Sequence, residues 1–84
     1  MRRVFADQAW EDYLFWQQED PQKTEKIHAL IKDIRRDPFK GLGKPEPLKG
    51  SLSGYWSRRI TDEHRVVYKI SGGDLLIAQL RYHH

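Results

Sequence analysis

The sequence predicts one α+β domain, in which two N-terminal helices pack on one face of a small antiparallel sheet in the order β-α-α-β-β-β. Two stretches of the N-terminal half have apolar residues at helical spacing. The C-terminal half has short runs of β-branched and aromatic residues separated by turn signals. With 84 residues, the chain is long enough for one hydrophobic core and too short for two, so a single domain is expected over residues 1–84.

The elements follow in order from local signals. A first strand is predicted over residues 2–6, and Asp7 suits the N-cap of a first helix whose apolar stripe begins at Trp10. Pro21 is expected at the first position of a second helix, which ends before Pro38. The apolar residues of that second helix recur with a period of one turn, at Ile27, Leu30, Ile31 and Ile34.

Residues 39–54 are predicted to form a structured loop, because they contain several glycines and two prolines. Pro45 and Pro47 lie on either side of Glu46 and stiffen the backbone that carries this carboxylate. Three antiparallel strands are predicted over residues 55–84.

Alternation along these three strands assigns their faces. Even positions are mostly apolar and are predicted to face the core, whereas odd positions carry most of the polar residues and are predicted to face solvent. A three-residue turn over 61–63 places Arg59 opposite Arg65. A two-residue turn at Gly72 and Gly73 would pair core positions with solvent positions, so a three-residue turn over 72–74 is expected instead.

This register places Arg65 opposite Arg81 and diagonal to His83, and predicts a row of arginines formed by Arg59, Arg65 and Arg81. Like charges directly opposite each other destabilise a sheet by about 0.2–1 kcal/mol per pair. An anion would offset the repulsion, and guanidinium groups suit phosphate. Residues 44–84 contain seven Lys/Arg and four Asp/Glu, against eight of each in residues 1–43, so the positive excess lies in the same half.

These residues supply one candidate for each role in metal-free RNA cleavage. Such cleavage needs a base for the 2′-hydroxyl proton, a cation for the phosphate and an acid for the leaving 5′-oxygen. Glu46 is the candidate base, Arg65 the phosphate ligand and His83 the acid, because histidine titrates near neutral pH. The candidate substrate-binding residues are Lys49, Arg59, Arg81, Tyr55, which suits base stacking, and His84.

Each assignment has a simpler alternative. Glu46 is also explained as a solvated surface carboxylate, and the arginines as a solvated face whose side chains splay apart. His83 and His84 are also explained as a frayed terminus or the remnant of an expression tag. The chain has no cysteine and no convincing pair of histidine and carboxylate ligands, so neither a metal nor another cofactor is expected.

Four segments together closely resemble the YoeB (Txe) toxins of bacterial toxin–antitoxin modules, which are members of the RelE superfamily. They are Lys-Pro-Glu-Pro-Leu-Lys at 44–49, Leu-Ser-Gly-Tyr-Trp-Ser-Arg-Arg-Ile-Thr at 52–61, Glu-His-Arg-Val-Val-Tyr at 63–68 and Arg-Tyr-His-His at 81–84. The resemblance covers essentially the whole chain and is highly specific.

The resemblance implies a microbial-ribonuclease-like fold of the RelE type and a translation-dependent endoribonuclease that enters the A site of the 70S ribosome and cuts mRNA. It assigns catalysis to Glu46, Arg65 and His83, with Lys49 and Arg59 assisting. Several family members end in tyrosine where this chain has His84. The role of the last side chain in placing substrate is therefore open, as is whether His83 or His84 is the acid.

The implied partners follow from the same resemblance. A cognate antitoxin of the YefM type is expected to wrap the toxin, and the complex to repress its own operon, so that operator DNA is contacted only through the antitoxin complex. A homodimer is left open. No segment resembles a membrane span or a secretory signal, so the expected location is cytoplasmic.

Two other functions compete with the toxin interpretation. The first is a non-catalytic nucleic-acid-binding regulator that uses the same basic face for phosphate contacts alone. The second is a protein-interaction domain that displays Phe15 and Trp16. Neither predicts RNA cleavage in the presence of ribosomes.

Overall fold

The computed structural model describes residues 1–82 of the chain. Its elements are β1 (Arg3–Phe5), α1 (Asp7–Glu19), α2 (Pro21–Arg36), β2 (Glu46–Pro47), a 3-10 turn (Gly50–Leu52), β3 (Trp56–Arg59), β4 (Arg65–Ser71) and β5 (Asp74–Gln79). The α+β class and the order of the predicted elements are confirmed.

The sheet is mixed rather than purely antiparallel. Its strand order is β1-β5-β4-β3-β2, with β1 parallel to β5 and the other neighbours antiparallel. The prediction of an antiparallel sheet was therefore wrong at β1. The loop prediction was wrong at Glu46 and Pro47, which form an edge strand against β3. A proline is tolerated there because an edge strand leaves some backbone N–H groups without a ladder partner.

Both helices pack on one face of the sheet, as predicted, and share one hydrophobic cluster with it. The predicted apolar stripe of α2 is entirely buried. The stripe of α1 is displaced from its predicted position: Trp10 is 47% exposed, whereas Ala9, Asp12 and Trp16 are buried. The N-cap of α1 is Ala6, and Asp7 is the first helical residue, where its charge favours the helix dipole.

The hairpin between β3 and β4 has the predicted register. Arg59 lies opposite Arg65, and the backbone N–H of Ile60 donates to the His64 carbonyl at 2.8 Å. The even positions of β3 and β4 face the helices, where Val66 and Tyr68 are fully buried.

The hairpin between β4 and β5 corrects the prediction. Ser71 pairs with Asp74 across a two-residue turn of Gly72 and Gly73, both with positive φ. Such a turn fits the twist of antiparallel strands. Even residues of β4 therefore pair with odd residues of β5, so Leu75 and Ile77 are core residues, not the predicted solvent-facing ones. A register shift between Val67 and Tyr68 restores the pairing of odd with odd residues, and Val67 lies opposite Gln79.

A buried arginine fixes the loop that precedes β2. The Arg58 side chain is completely buried and donates to the Asp33 carboxylate at 2.6 Å and the Tyr68 hydroxyl oxygen at 3.1 Å. It also donates to three backbone carbonyls of the loop, those of Asp37, Lys40 and Leu42.

The carboxylate in this network is strongly held in its charged form. Hydrogen bonds from Arg36, the Leu42 backbone and Arg58 hold the pKa of Asp33 well below its usual range. The network thus connects the end of α2, the loop and β3, and it determines where the chain enters β2.

Candidate active site

Glu46 and Arg65 form an ion pair on the face of the sheet opposite the helices. Arg65 Nη1 donates to Glu46 Oε1 at 2.8 Å and to the Ser57 hydroxyl at 3.1 Å. The Arg65 side chain is only 13% exposed, whereas that of Glu46 is 55% exposed. One partner is therefore held within the sheet surface, and the other is open to a ligand.

The strand register explains why these three side chains meet. Glu46 on β2 pairs with Ser57 on β3, and Arg65 on β4 lies one diagonal step from Ser57. Diagonal neighbours on one face are within reach of long side chains. Ser57 is fully buried beneath the pair, so its hydroxyl limits the positions that the Arg65 guanidinium can occupy.

Arg59 brings a second guanidinium to this face, directly opposite Arg65 and partly exposed. The carboxylate of Glu46 offsets part of the charge crowding that the sequence predicted between these arginines. A phosphate that bound Arg59 and Arg65 would compete with Glu46 for Arg65 and would leave the carboxylate free to accept a proton. We refer to Glu46, Ser57, Arg59 and Arg65 as the acid–base cluster.

Two further predicted residues lie near this cluster in the chain and differ in exposure. Lys49 is exposed, immediately before the 3-10 turn. Tyr55 is partly buried, and the Lys69 ammonium lies 4.8 Å from its ring centre. Lys69 therefore covers the Tyr55 ring, and a base that stacked on that face would have to displace it.

Arg81 does not complete the predicted row of guanidinium groups. Its guanidinium carbon lies 3.6 Å from the ring centre of Phe15 on α1, so it stacks against the helix. The row prediction was wrong for this residue because an aromatic partner from a distant element attracts the cation.

His83 and His84 lie outside the described residues. The segment that leads to them is defined: the Tyr82 N–H donates to His64 Nδ1 at 2.8 Å. Neither His64 nor Ser57 was assigned a role from the sequence. Ser57 was recognisable only as a polar odd position next to Arg58.

Residues 1–82 lack two further kinds of feature. No group of three or more potential metal-ligating side chains lies close enough together to hold one ion. No helix in this part of the chain has the length and apolar character needed to cross a membrane.

Comparisons with known proteins agree closely with one another. A family model for the YoeB-like toxin of bacterial type II toxin–antitoxin systems matches residues 5–84. The chain is 56% identical to toxin YoeB of Escherichia coli strain K12 and 60% identical to toxin YoeB of Streptomyces coelicolor. Each of these alignments covers 100% of both chains.

Solved structures give the same result. The YoeB/ParE toxin from Agrobacterium tumefaciens superposes with a TM-score of 0.97 at 53% identity, over 100% of both chains. The toxin chain of a YoeB-YefM complex and that of a YoeB dimer, both from Staphylococcus aureus, superpose with TM-scores of 0.92 and 0.93 at 44% and 45% identity. These matches cover 100% of this chain and 98% of each of the others.

Proposed function

Because this chain belongs to the YoeB-like toxins of bacterial type II toxin–antitoxin systems, we propose that it is an endoribonuclease that cuts mRNA in the ribosomal A site without a metal ion. The observation that carries the proposal is the acid–base cluster, in which an exposed carboxylate touches a nearly buried arginine beside a second arginine. That combination supplies a proton acceptor and a phosphate site in direct contact, with 2.8 Å between Glu46 Oε1 and Arg65 Nη1.

The proposed reaction is an internal transesterification. Glu46 accepts the 2′-hydroxyl proton while the 2′-oxygen forms a bond to phosphorus and the bond from phosphorus to the 5′-oxygen breaks. Arg65 and Arg59 stabilise the negative charge on the non-bridging oxygens. A proton from His83 neutralises the leaving 5′-oxygen, which gives a 2′,3′-cyclic phosphate and a 5′-hydroxyl end.

Lys49, Tyr55, Arg81 and His84 remain proposed contacts to RNA. Lys49 suits this role best, because it is exposed and shares with Glu46 the segment that enters the 3-10 turn. Arg81 would have to leave its stacked position on Phe15 to reach a phosphate.

The proposed partners extend what the related structures contain. A YoeB-YefM complex and a YoeB dimer exist for relatives in Staphylococcus aureus, which supports a YefM-like antitoxin and a homodimer for this chain. We further propose that operator DNA is bound only by the complex with the antitoxin. The cytoplasm is the proposed location, since both the ribosome and the operator are found there.

Sequencing RNA 5′ ends after induced expression tests the function. The matched pair is Glu46→Gln and Glu63→Gln, because Glu63 is an exposed carboxylate in the turn between β3 and β4. Wild type and Glu63→Gln should arrest growth and produce new ends confined to translated codons, whereas Glu46→Gln should do neither.

Each other outcome removes a different part of the proposal. Equal cutting by Glu46→Gln would exclude that carboxylate as the base. New ends in untranslated RNA would exclude ribosome dependence. Absence of cutting by the wild type would favour the alternative of a non-catalytic nucleic-acid-binding regulator.

A further inference from the structure

The chain beyond β5 is anchored to α1 through both backbone polar groups of Leu80. The Leu80 N–H donates to Asp12 Oδ2 at 2.9 Å, and Trp16 Nε1 donates to the Leu80 carbonyl at 2.9 Å. Asp12, Trp16 and Leu80 are all buried. Two side chains of one helix therefore fix the position at which the tail (residues 80–82 of the described chain) begins.

A third anchor comes from His64, the residue that immediately precedes β4. The Tyr82 N–H donates to His64 Nδ1 at 2.8 Å, and the His64 ring packs between the rings of Trp16 and Tyr82, with centroid distances of 4.9 and 4.8 Å. Only an unprotonated Nδ1 has the lone pair that accepts this bond. This hydrogen bond attaches Tyr82, the last described residue, to the residue that leads into β4.

The backbone at Tyr82 needs such support. Its φ is +62°, in the left-handed region that aromatic residues rarely adopt and that costs about 1–2 kcal/mol for residues other than glycine. Such conformations persist when surrounding contacts over-determine them. The hydrogen bond to Nδ1 and the packing of the His64 ring are those contacts.

We propose that His64 is a positioning residue, whose Nδ1 holds the backbone at Tyr82 and on which the rate of the proposed cleavage therefore depends. The proposal rests on the proposed function, in which His83 is the acid. His64 immediately precedes Arg65, so the residue that holds the tail and the proposed phosphate ligand are neighbours in the chain.

Two substitutions separate the acceptor from the rest of the histidine. In His64→Asn, the side-chain carbonyl oxygen occupies the δ position and still accepts a hydrogen bond, whereas His64→Leu keeps an apolar side chain of similar size without an acceptor. The backbone bonds of His64 to Ile60 and Thr61 do not involve its side chain, so both variants retain the turn between β3 and β4.

The test measures kcat and KM for mRNA cleavage on programmed ribosomes. His64→Leu should lower kcat by about tenfold or more, since misplaced catalytic groups lose rate steeply, with KM changed by less than about twofold. His64→Asn should restore most of kcat. Full activity of His64→Leu, or equal losses in both variants, would overturn the positioning role while wild-type cleavage still supported the proposed function.

Nuclear magnetic resonance of the wild type supplies a readout that depends neither on activity nor on the folding of the variants. The ¹⁵N spectrum of His64 at neutral pH should show a protonated Nε2 and an unprotonated Nδ1, and the Tyr82 amide should exchange slowly. A protonated Nδ1 or a rapidly exchanging Tyr82 amide would refute the anchor. If the anchor were observed but wild type did not cleave RNA, the proposed function would fail by itself.

Discussion

Replacing Arg58 with methionine is expected to destabilise the protein severely. The guanidinium is completely buried and donates to a carboxylate, a tyrosine hydroxyl and three loop carbonyls. Removing one partner of a buried, hydrogen-bonded charge network costs about 3–5 kcal/mol. At about 4–8 °C per kcal/mol for a domain of this size, Tm should fall by roughly 12–40 °C.

Thermal melts followed by circular dichroism at neutral pH measure this loss, with Arg36→Met as the matched control. Arg36 binds the same Asp33 carboxylate at 2.9 Å, but its side chain is 62% exposed. Exposed ion pairs contribute little, so the control should melt close to the wild type. Equal melting temperatures for the two variants would refute the view that burial of Arg58 organises the loop.

Three further predictions concern stability. The fold lowers the pKa of Asp33, so the stability that this carboxylate contributes is present above its usual pKa and is lost as pH falls below about 4. Tm of the wild type should therefore decrease more steeply with acid than Tm of Asp33→Asn. Parallel curves of Tm against pH would contradict this. Gly43→Ala should lower the urea midpoint of unfolding more than Gly72→Ala. Both glycines have positive φ, but of the two only Gly43 would place a Cβ 2.8 Å from Leu30 Cδ2. Similar midpoints for the two variants would count against this close contact. Arg65→Ala should abolish cleavage. It should reduce the free energy of unfolding by no more than about 1 kcal/mol, because the ionic partner of Arg65, Glu46, is exposed. A larger loss of stability in urea melts would make this arginine mainly structural.

Sequence patterns predicted the parts of the fold that depend on regular periodicity. The stripe of α2 and the register that pairs Arg59 with Arg65 follow from spacing alone, and both are confirmed. The hairpin at Gly72 was predicted wrongly because assigning faces from odd and even positions assumes an uninterrupted ladder. The register shift between Val67 and Tyr68 interrupts that ladder. The parallel pairing of β1 with β5 joins residues more than 70 positions apart and has no local signal.

In the candidate site, too, the features that follow from local sequence were predicted and those that depend on tertiary packing were not. The sequence assigned Glu46 and Arg65 to one reaction, which requires the two side chains to lie close together, and the structure places them 2.8 Å apart. The stacking of Arg81 on Phe15 and the bond from Tyr82 to His64 were not predicted, because their partners lie on elements whose relative positions depend on tertiary packing. Such side chains are visible only once the helices are placed on the sheet.

Single-turnover cleavage of mRNA on programmed ribosomes tests the central claim most directly, with Glu46→Gln compared against Glu63→Gln. Loss of the base should slow cleavage by about 10²–10⁴-fold, the usual contribution of one general acid or base, while the turn variant cleaves at the wild-type rate. A Glu46→Gln enzyme within about threefold of the wild type would contradict proton transfer to this carboxylate.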